Sequence, residues 1–422
     1  MACLALISGP LTARMLGPTG RGQLAAIQNL FWVVATLAML GLPEATLYFT
    51  ARNPKKAGRV LSSALVLTLV AAPLCYLAIY RFIPRLLTRE SAGVITVARW
   101  YLAFIPLYVL TVIPTFAMRG TNDLVRWNLF RLLPGVGWLL FLIGVWSAAK
   151  PTPELLARGY LVVLAIALVP LTVAVRKCIS GPFTPDKSIF RSMLGYSIPL
   201  AGATVPQTLN PRVDQLFIAA FLPAHVLGLY VVAVSWSGAT TPLLSAIGNV
   251  LFPRIAAGSS EERAITLTQG VRLGMLTGSV LVLMLGILTP VAITKLFGSA
   301  FSPAIPAALV LVLAAFISGL NGILEEGLRG LGDTGAVFRG EATGLFVTVA
   351  GLALMLRPFG IVGAGFACLI GYSATAAVLV PRVLRSTNVT LANLLVPGYE
   401  DLRLLSTWAQ GVGSAFRTMW RA

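Results

Sequence analysis

The sequence predicts an all-α, polytopic membrane protein of about twelve transmembrane helices, in two six-helix lobes related by a parallel internal repeat. Three observations carry that expectation. The 422-residue chain is 57% hydrophobic and only 11% charged, with a mean hydropathy of +0.86. Apolar runs recur along it, many near the roughly 20 residues that cross a bilayer. The polar breaks between them are short, and several recur in the same order in the two halves.

Composition also excludes function classes. A soluble domain carries about 25% charged residues and needs a polar exterior, so lipid is the solvent for much of this surface. The net charge of +18 would suggest nucleic acid in a soluble chain. Here no basic, aromatic-laced segment stands apart from the apolar runs, and cytoplasmic loops of membrane proteins collect Lys and Arg. Nucleic acid is not an expected partner. Cys3, Cys75, Cys178 and Cys368 lie far apart, without metal or disulfide spacing. The sequence calls for no metal and no cofactor.

The apolar stretch Met1 to Thr12 is short for a span and lacks a positive n-region. It reads as the end of a truncated first helix that stops near Met15. Further helices are expected near 23–50, 60–80, 95–118, 124–147, 155–175, 192–221, 225–252, 266–290, 303–327, 336–356 and 360–381. This divides the chain into an N-terminal lobe (1–178), a cytoplasmic linker (179–191), a C-terminal lobe (192–382) and a tail (383–422), with a surface amphipathic helix a candidate at Tyr399 to Phe416. The breaks after even-numbered helices are the more basic, as at Arg52, Lys55, Lys56 and Arg59, and again at Arg176, Lys177, Lys187 and Arg191. The positive-inside rule puts those in the cytoplasm. The loop from Arg81 to Arg99 runs against the trend.

The repeat is legible in short matches. Arg119-Gly120-Thr121-Asn122-Asp123 and Arg329-Gly330-Leu331-Gly332-Asp333 both read R-G-x-x-D, followed by Phe130-Arg131 and Phe338-Arg339. Gly17-Pro18 with Gly22 precedes the second helix, and Leu222-Pro223 with Gly228 opens the eighth. The copies are separated by six helices, an even number, so both halves enter the membrane in the same sense. Two such lobes frame a cleft that can open to one side at a time, which is a transporter architecture.

The run Leu11-Thr12-Ala13-Arg14-Met15-Leu16-Gly17-Pro18-Thr19-Gly20-Arg21-Gly22 resembles the first-loop signature of oligosaccharide flippases. So do Gly41-Leu42-Pro43-Glu44-Ala45-Thr46-Leu47-Tyr48, Leu209-Asn210-Pro211-Arg212-Val213-Asp214-Gln215-Leu216, Gly228-Leu229-Tyr230 and Leu251-Phe252-Pro253-Arg254. The resembled family is the O-antigen and polysaccharide flippase branch of the multidrug/oligosaccharidyl-lipid/polysaccharide exporter superfamily, and the likeness covers nearly the whole chain. It implies a multi-pass protein of the bacterial inner membrane that moves an undecaprenyl-pyrophosphate-linked oligosaccharide to the periplasmic leaflet by alternating access. It also implies a coupling ion (proton or sodium), contact with membrane lipids and contact with polysaccharide polymerase machinery. Relatives to weigh are a lipid II flippase and a multidrug antiporter. An excess of Arg over intramembrane acids disfavours a cationic drug. Short loops without a nucleophile triad or phosphate loop disfavour a glycan polymerase or ligase.

An anionic pyrophosphate needs cations, and the planar guanidinium bonds its oxygens in pairs. Asn210, Arg212, Asp214 and Gln215 interrupt an otherwise apolar seventh helix, where a charge costs about 2.5–3.5 kcal/mol unless it meets a cavity or a partner. Arg212, Asn210, Gln215 and Arg131 are the candidate substrate contacts. Asp214, Glu44, Glu325 and Glu341 are candidates for ion coupling or gating, with Arg52 as an alternative partner for Glu44 and Arg329 or Arg339 for the later glutamates. Pro199, Pro206 and Pro211 are candidate hinges. The R-G-x-x-D loops read as structural, with glycine permitting the turn and Asp capping the next helix. His225 reads as a loop residue.

Overall fold

A computed structural model describes residues 2–86, 92–148, 151–257 and 259–396. The expected tail helix at 399–416 lies outside the described residues, as does part of the Arg81–Arg99 loop. The described residues form no strand. Among the described residues, fifteen α-helices run α1 Ala2–Ala38, α2 Leu42–Arg52, α3 Ala57–Leu86, α4 Ala92–Tyr101, α5 Phe104–Gly120, α6 Leu124–Ala148, α7 Pro153–Cys178, α8 Lys187–Leu209, α9 Val213–Phe221, α10 Ala224–Ser237, α11 Thr241–Ala257, α12 Ser260–Ala292, α13 Ile305–Gly330, α14 Thr334–Thr387 and α15 Leu391–Leu395.

Eight helices among the described residues are long and apolar enough to cross a membrane, or nine if the bent pair Leu4–Ala38 and Leu42–Arg52 is one span. The chain is thus an all-α polytopic membrane protein. The count is below twelve partly because two continuous helices contain reversals or kinks. α14 has 54 residues, about 81 Å of helix against a hydrocarbon core of about 30 Å. Its backbone leaves the helix at Gly360, whose φ of 55° and ψ of −137° suit glycine. The two arms then pack antiparallel. A Cβ on Gly344 or Gly371 would run into the Thr375 or Thr348 hydroxyl, and one on Gly351 would sit 3.0 Å from Ala367 Cβ. These arms cover the expected segments 336–356 and 360–381. α1 has a similar break at Gly17, and the α8–α9 stretch is not among the segments long and apolar enough to span.

The chain forms two compact units, Met1–Ser235 with Val291–Ile305, and Trp236–Pro290 with Pro306–Ala422. In the first, Leu42, Leu61, Ile113, Met118 and Leu171 centre a buried core from α2, α3, α5 and α7. In the second, Leu251, Leu267, Ile323, Leu328 and Leu379 do so from α11, α12, α13 and α14. The first unit includes the segment 179–186, which is fastened to the start of α3. Gly58 N–H donates to Ser180 O at 2.9 Å, Asp186 N–H to Ser63 Oγ at 3.1 Å, and Arg59 pairs with Asp186 at 3.7 Å.

Both R-G-x-x-D loops are Schellman caps. Asp123 N–H reaches Met118 O at 3.0 Å and Asp333 N–H reaches Leu328 O at 2.8 Å, while Asn122 and Gly332 donate to Arg119 and Arg329 at 3.0 Å. Each Asp then caps the next helix, at 3.1 Å to the Arg126 or Ala336 amide. The shared glycine is not the residue in the left-handed region; Asn122 (φ 63°) and Gly332 (φ 84°) are. Gly120 and Gly330 instead admit close packing, against Leu47 O at 2.8 Å and Phe252 O at 3.2 Å from a Cβ placed on each.

Candidate functional site

α8 ends at Leu209 because Pro211 has no N–H with which to continue it. Asn210 N–H still donates to Pro206 O and Arg212 N–H turns back to Leu209 O, both at 2.9 Å. Arg212, at φ −131° and ψ −18°, then starts α9. Of the expected hinge prolines, Pro211 lies in this break and Pro206 one turn before it. α8 runs through position 199 without interruption.

The break presents Arg212 and Gln215 to a cavity of about 390 Å³ within the first unit. Asn29 of α1 ties them together. Its Nδ2 donates to Gln215 Oε1 at 2.5 Å, and its Oδ1 accepts from Arg212 Nη1 at 3.1 Å. The Arg212 guanidinium lies 5.0 Å from the centre of the Trp32 ring. Arg21 also lines the cavity, and its Nε is buried without a hydrogen-bond partner among the described residues. Part of the remaining wall is aromatic: Tyr101 stacks on Phe104 at 5.4 Å, and Trp138 meets Tyr160 edge-on at 5.2 Å. Two guanidiniums, an amide belt and aromatic faces can hold an anion beside a ring with apolar faces.

The other expected residues lie elsewhere. Asp214 is buried beside the cavity, accepting from the Tyr230 hydroxyl at 2.6 Å and from Gln215 N–H at 2.7 Å. Asn210 is buried and does not line the cavity. Arg131 lies over one ring, Trp127, at 4.5 Å, with Arg119 4.9 Å from the same ring. Glu44 lines a second cavity of about 450 Å³ that shares Trp32 with the first. It makes no ion pair among the described residues, and Arg52 instead approaches the Tyr48 hydroxyl at 3.5 Å. In the second unit, Arg329 binds Glu325 at 3.2 Å and also Glu326. Both pairs lie within α13. Glu325 and, on α14, Glu341 are both buried.

Sequence reasoning missed Arg21, Asn29, Trp32, Trp138 and Tyr160. For the first three the sequence carries only a weak signal, their common spacing. Arg21, Gln28, Asn29 and Trp32 recur at helical spacing and share one face of an apolar helix.

Broken helices around a polar cavity, in an all-α polytopic chain, are features that membrane transporters share. Residues 1–259 match the family model described as "Polysaccharide biosynthesis protein", more than half of the chain, and the chain belongs to that family. No curated protein sequence matches it significantly. Among solved structures it resembles an inward-facing multidrug resistance MATE family transporter of the MOP superfamily, with a TM-score of 0.75 at 13% identity over 92% of this chain and 96% of that one. It also resembles the lipid II flippase MurJ in an inward closed conformation, with a TM-score of 0.76 at 12% identity over 93% and 87%. The chain shares the fold of these two proteins.

Proposed function

We propose that this chain flips an undecaprenyl-pyrophosphate-linked oligosaccharide from the cytoplasmic to the periplasmic leaflet of a bacterial inner membrane, for O-antigen or exopolysaccharide synthesis. It does so as a transporter, not as an enzyme. The observation that carries this reading is the cavity holding Arg21 and Arg212 together beside Asn29, Gln215 and an aromatic wall. The guanidiniums bind the pyrophosphate, the amides bind hydroxyls, and Trp138 and Tyr160 offer faces to sugar rings. Family membership supports a role in polysaccharide synthesis.

The finer architecture is twelve helices in two six-helix lobes, 1–178 and 192–382, joined by 179–191. The matched Schellman caps support it. So does a reciprocal contact, in which Gly22 faces the Ala224 carbonyl and Gly228 faces the Pro18 carbonyl. Alternating access then uses the break at Asn210–Arg212 as its hinge, with Pro206 and Pro199 upstream. A proton or sodium gradient drives it through Glu44, Asp214, Glu325 or Glu341. Polysaccharide polymerase machinery receives the product.

The test is expression in bacteria lacking their own O-antigen and polysaccharide flippases, with lipid-linked glycan measured in the periplasm. The parent restores export, Arg212→Ala abolishes it, and Arg212→Lys retains part, because a point charge lacks the planar fork. Export by Arg212→Ala equal to the parent at matched protein levels overturns the reading. A panel that includes lipid II separates the glycan classes.

A further inference from the structure

A third cavity lies away from the two already described, in a different setting. It measures about 340 Å³ and sits between the C-terminal end of α2, the 53–56 loop, the start of α3 and the first turns of α8. Arg52 and Lys56 face it with Ser188 and Ser192, and Phe49 and Ile189 supply apolar walls. Neither Arg52 nor Lys56 makes an ion pair among the described residues, and Arg52 reaches only toward Tyr48 Oη. The nearby acid is already engaged. Asp186 accepts from Ser188 N–H at 2.8 Å, from Ser188 Oγ at 2.6 Å and from Ile189 N–H at 3.4 Å, and pairs with Arg59.

The walls are held in place. Besides the bonds that fasten segment 179–186 to α3, Tyr48 of α2 stacks on Tyr196 of α8 with ring centres 4.6 Å apart. The cavity also lies at the end of a membrane span. The apolar segment Pro54–Pro73 starts beside it. A site with cations at the span end and apolar side chains next to them matches the boundary between head groups and acyl chains, and basic pockets between membrane helices take anionic lipid head groups.

We propose that this cavity binds the head group of an anionic glycerophospholipid of the phosphatidylglycerol type. The phosphodiester accepts from Arg52 and Lys56. Head-group hydroxyls donate to Ser188 Oγ and Ser192 Oγ, whose own hydrogens are spent on Asp186 and on Ser188 O. The acyl chains follow Phe49 and Ile189. The lipid bridges α2 to α8, and its binding is independent of what the Arg212 cavity carries.

The full chain is purified in detergent and its unfolding temperature followed against added phosphatidylglycerol, phosphatidylcholine or soluble glycerol 3-phosphate. A ligand of the folded state raises Tm with concentration. Phosphatidylglycerol raises Tm in the parent, and the other two do not. The double variant Arg52→Gln/Lys56→Gln weakens the response about tenfold or more. Lys55→Gln, which does not line the cavity, leaves it unchanged. Ser192→Leu fills the cavity while keeping both charges and also loses the response, which guards against a double variant that folds poorly. An unaltered response in both the double variant and Ser192→Leu overturns the proposal. So does an equal shift from glycerol 3-phosphate, which would mean an anion site that ignores lipid.

Discussion

Asn29 is the residue on which the polar wall of the Arg212 cavity depends, because its one amide satisfies Gln215 with a donor and Arg212 with an acceptor. Replacing it with leucine leaves both partners short of a bond in a buried setting, at about 1–3 kcal/mol for each unmet group. Asn29→Leu is therefore expected to lower the unfolding temperature and to reduce glycan export sharply, whereas Arg131→Gln, whose guanidinium lies over Trp127, leaves export near the parent level. Equal losses in the two variants, measured in the same export assay, would count against the cavity. Part of this site was legible in the sequence. Arg212 and Gln215 announce themselves by interrupting an apolar run. Asn29 does not, since a single neutral amide is cheap in a helix and its partner is 186 residues away. Arg21 follows the Gly17-Pro18 turn so closely that it reads as a loop cation. Only the folded chain brings its buried guanidinium to the same cavity.

Elements in this fold meet through glycine and end through caps, and both can be tested. A Cβ on Gly22 would overlap the carbonyl of Ala224, and one on Gly228 would overlap that of Pro18. The obstacles are backbone atoms, which cannot move aside as a side chain can. Gly22→Val and Gly228→Val are expected to abolish folded protein, as judged by monodisperse yield in detergent, while Gly144→Ala, whose Cβ would meet nothing within 4 Å, is tolerated. The start of α8 is governed by Asp186. Its carboxyl is held below the usual range by the Ser188 hydroxyl, then by the Ser188 amide, with help from the Ile189 amide and Arg59. A depressed carboxylate stabilises the folded state above its ordinary pKa near 4, and that stabilisation is lost as pH falls through the folded value. Asp186→Ala should thus lower the unfolding temperature at neutral pH, with the gap from the parent closing below about pH 4. A gap that persists at lower pH would mean that the cap acts through geometry alone. The glycine of R-G-x-x-D shows where local reading stops. Its sequence suggests a turn residue, but the left-handed position falls two residues later, at Asn122 and Gly332. The glycine itself serves a packing contact with a distant helix.

For the whole molecule, the membrane topology follows from contacts between loop regions. The Gly58 amide binds Ser180 O, which joins the ends of the second and sixth expected helices. Arg14 binds the carbonyl of Leu296 at 2.9 Å, which joins the ends of the first and the ninth. Asp333 binds Arg382, which joins the ends of the tenth and the twelfth. Each pair is separated by an even number of crossings, so each contact requires its two loops to share one side of the membrane. An odd count anywhere between them would break all such pairings on that stretch. The charge distribution then chooses the side, since the loops around Lys55, Lys56 and Arg176 are more basic than those around Gly17 and Gly360. The cations from Arg81 to Arg99 oppose that choice, although Arg99 is engaged over the Tyr80 ring at 5.2 Å. In a background where Cys3, Cys75, Cys178 and Cys368 are replaced by serine, single cysteines at Lys56, Thr121, Pro182 and Leu331 are expected to resist a membrane-impermeant maleimide in intact cells and to react after permeabilisation. Cysteines at Thr152, Ser302 and Phe359 should react in intact cells. A reversal of both sets would keep the helix count and reject the orientation, and with it the direction of transport. A mixed result within one set would reject the even crossing number itself, and the parallel repeat would fall with it.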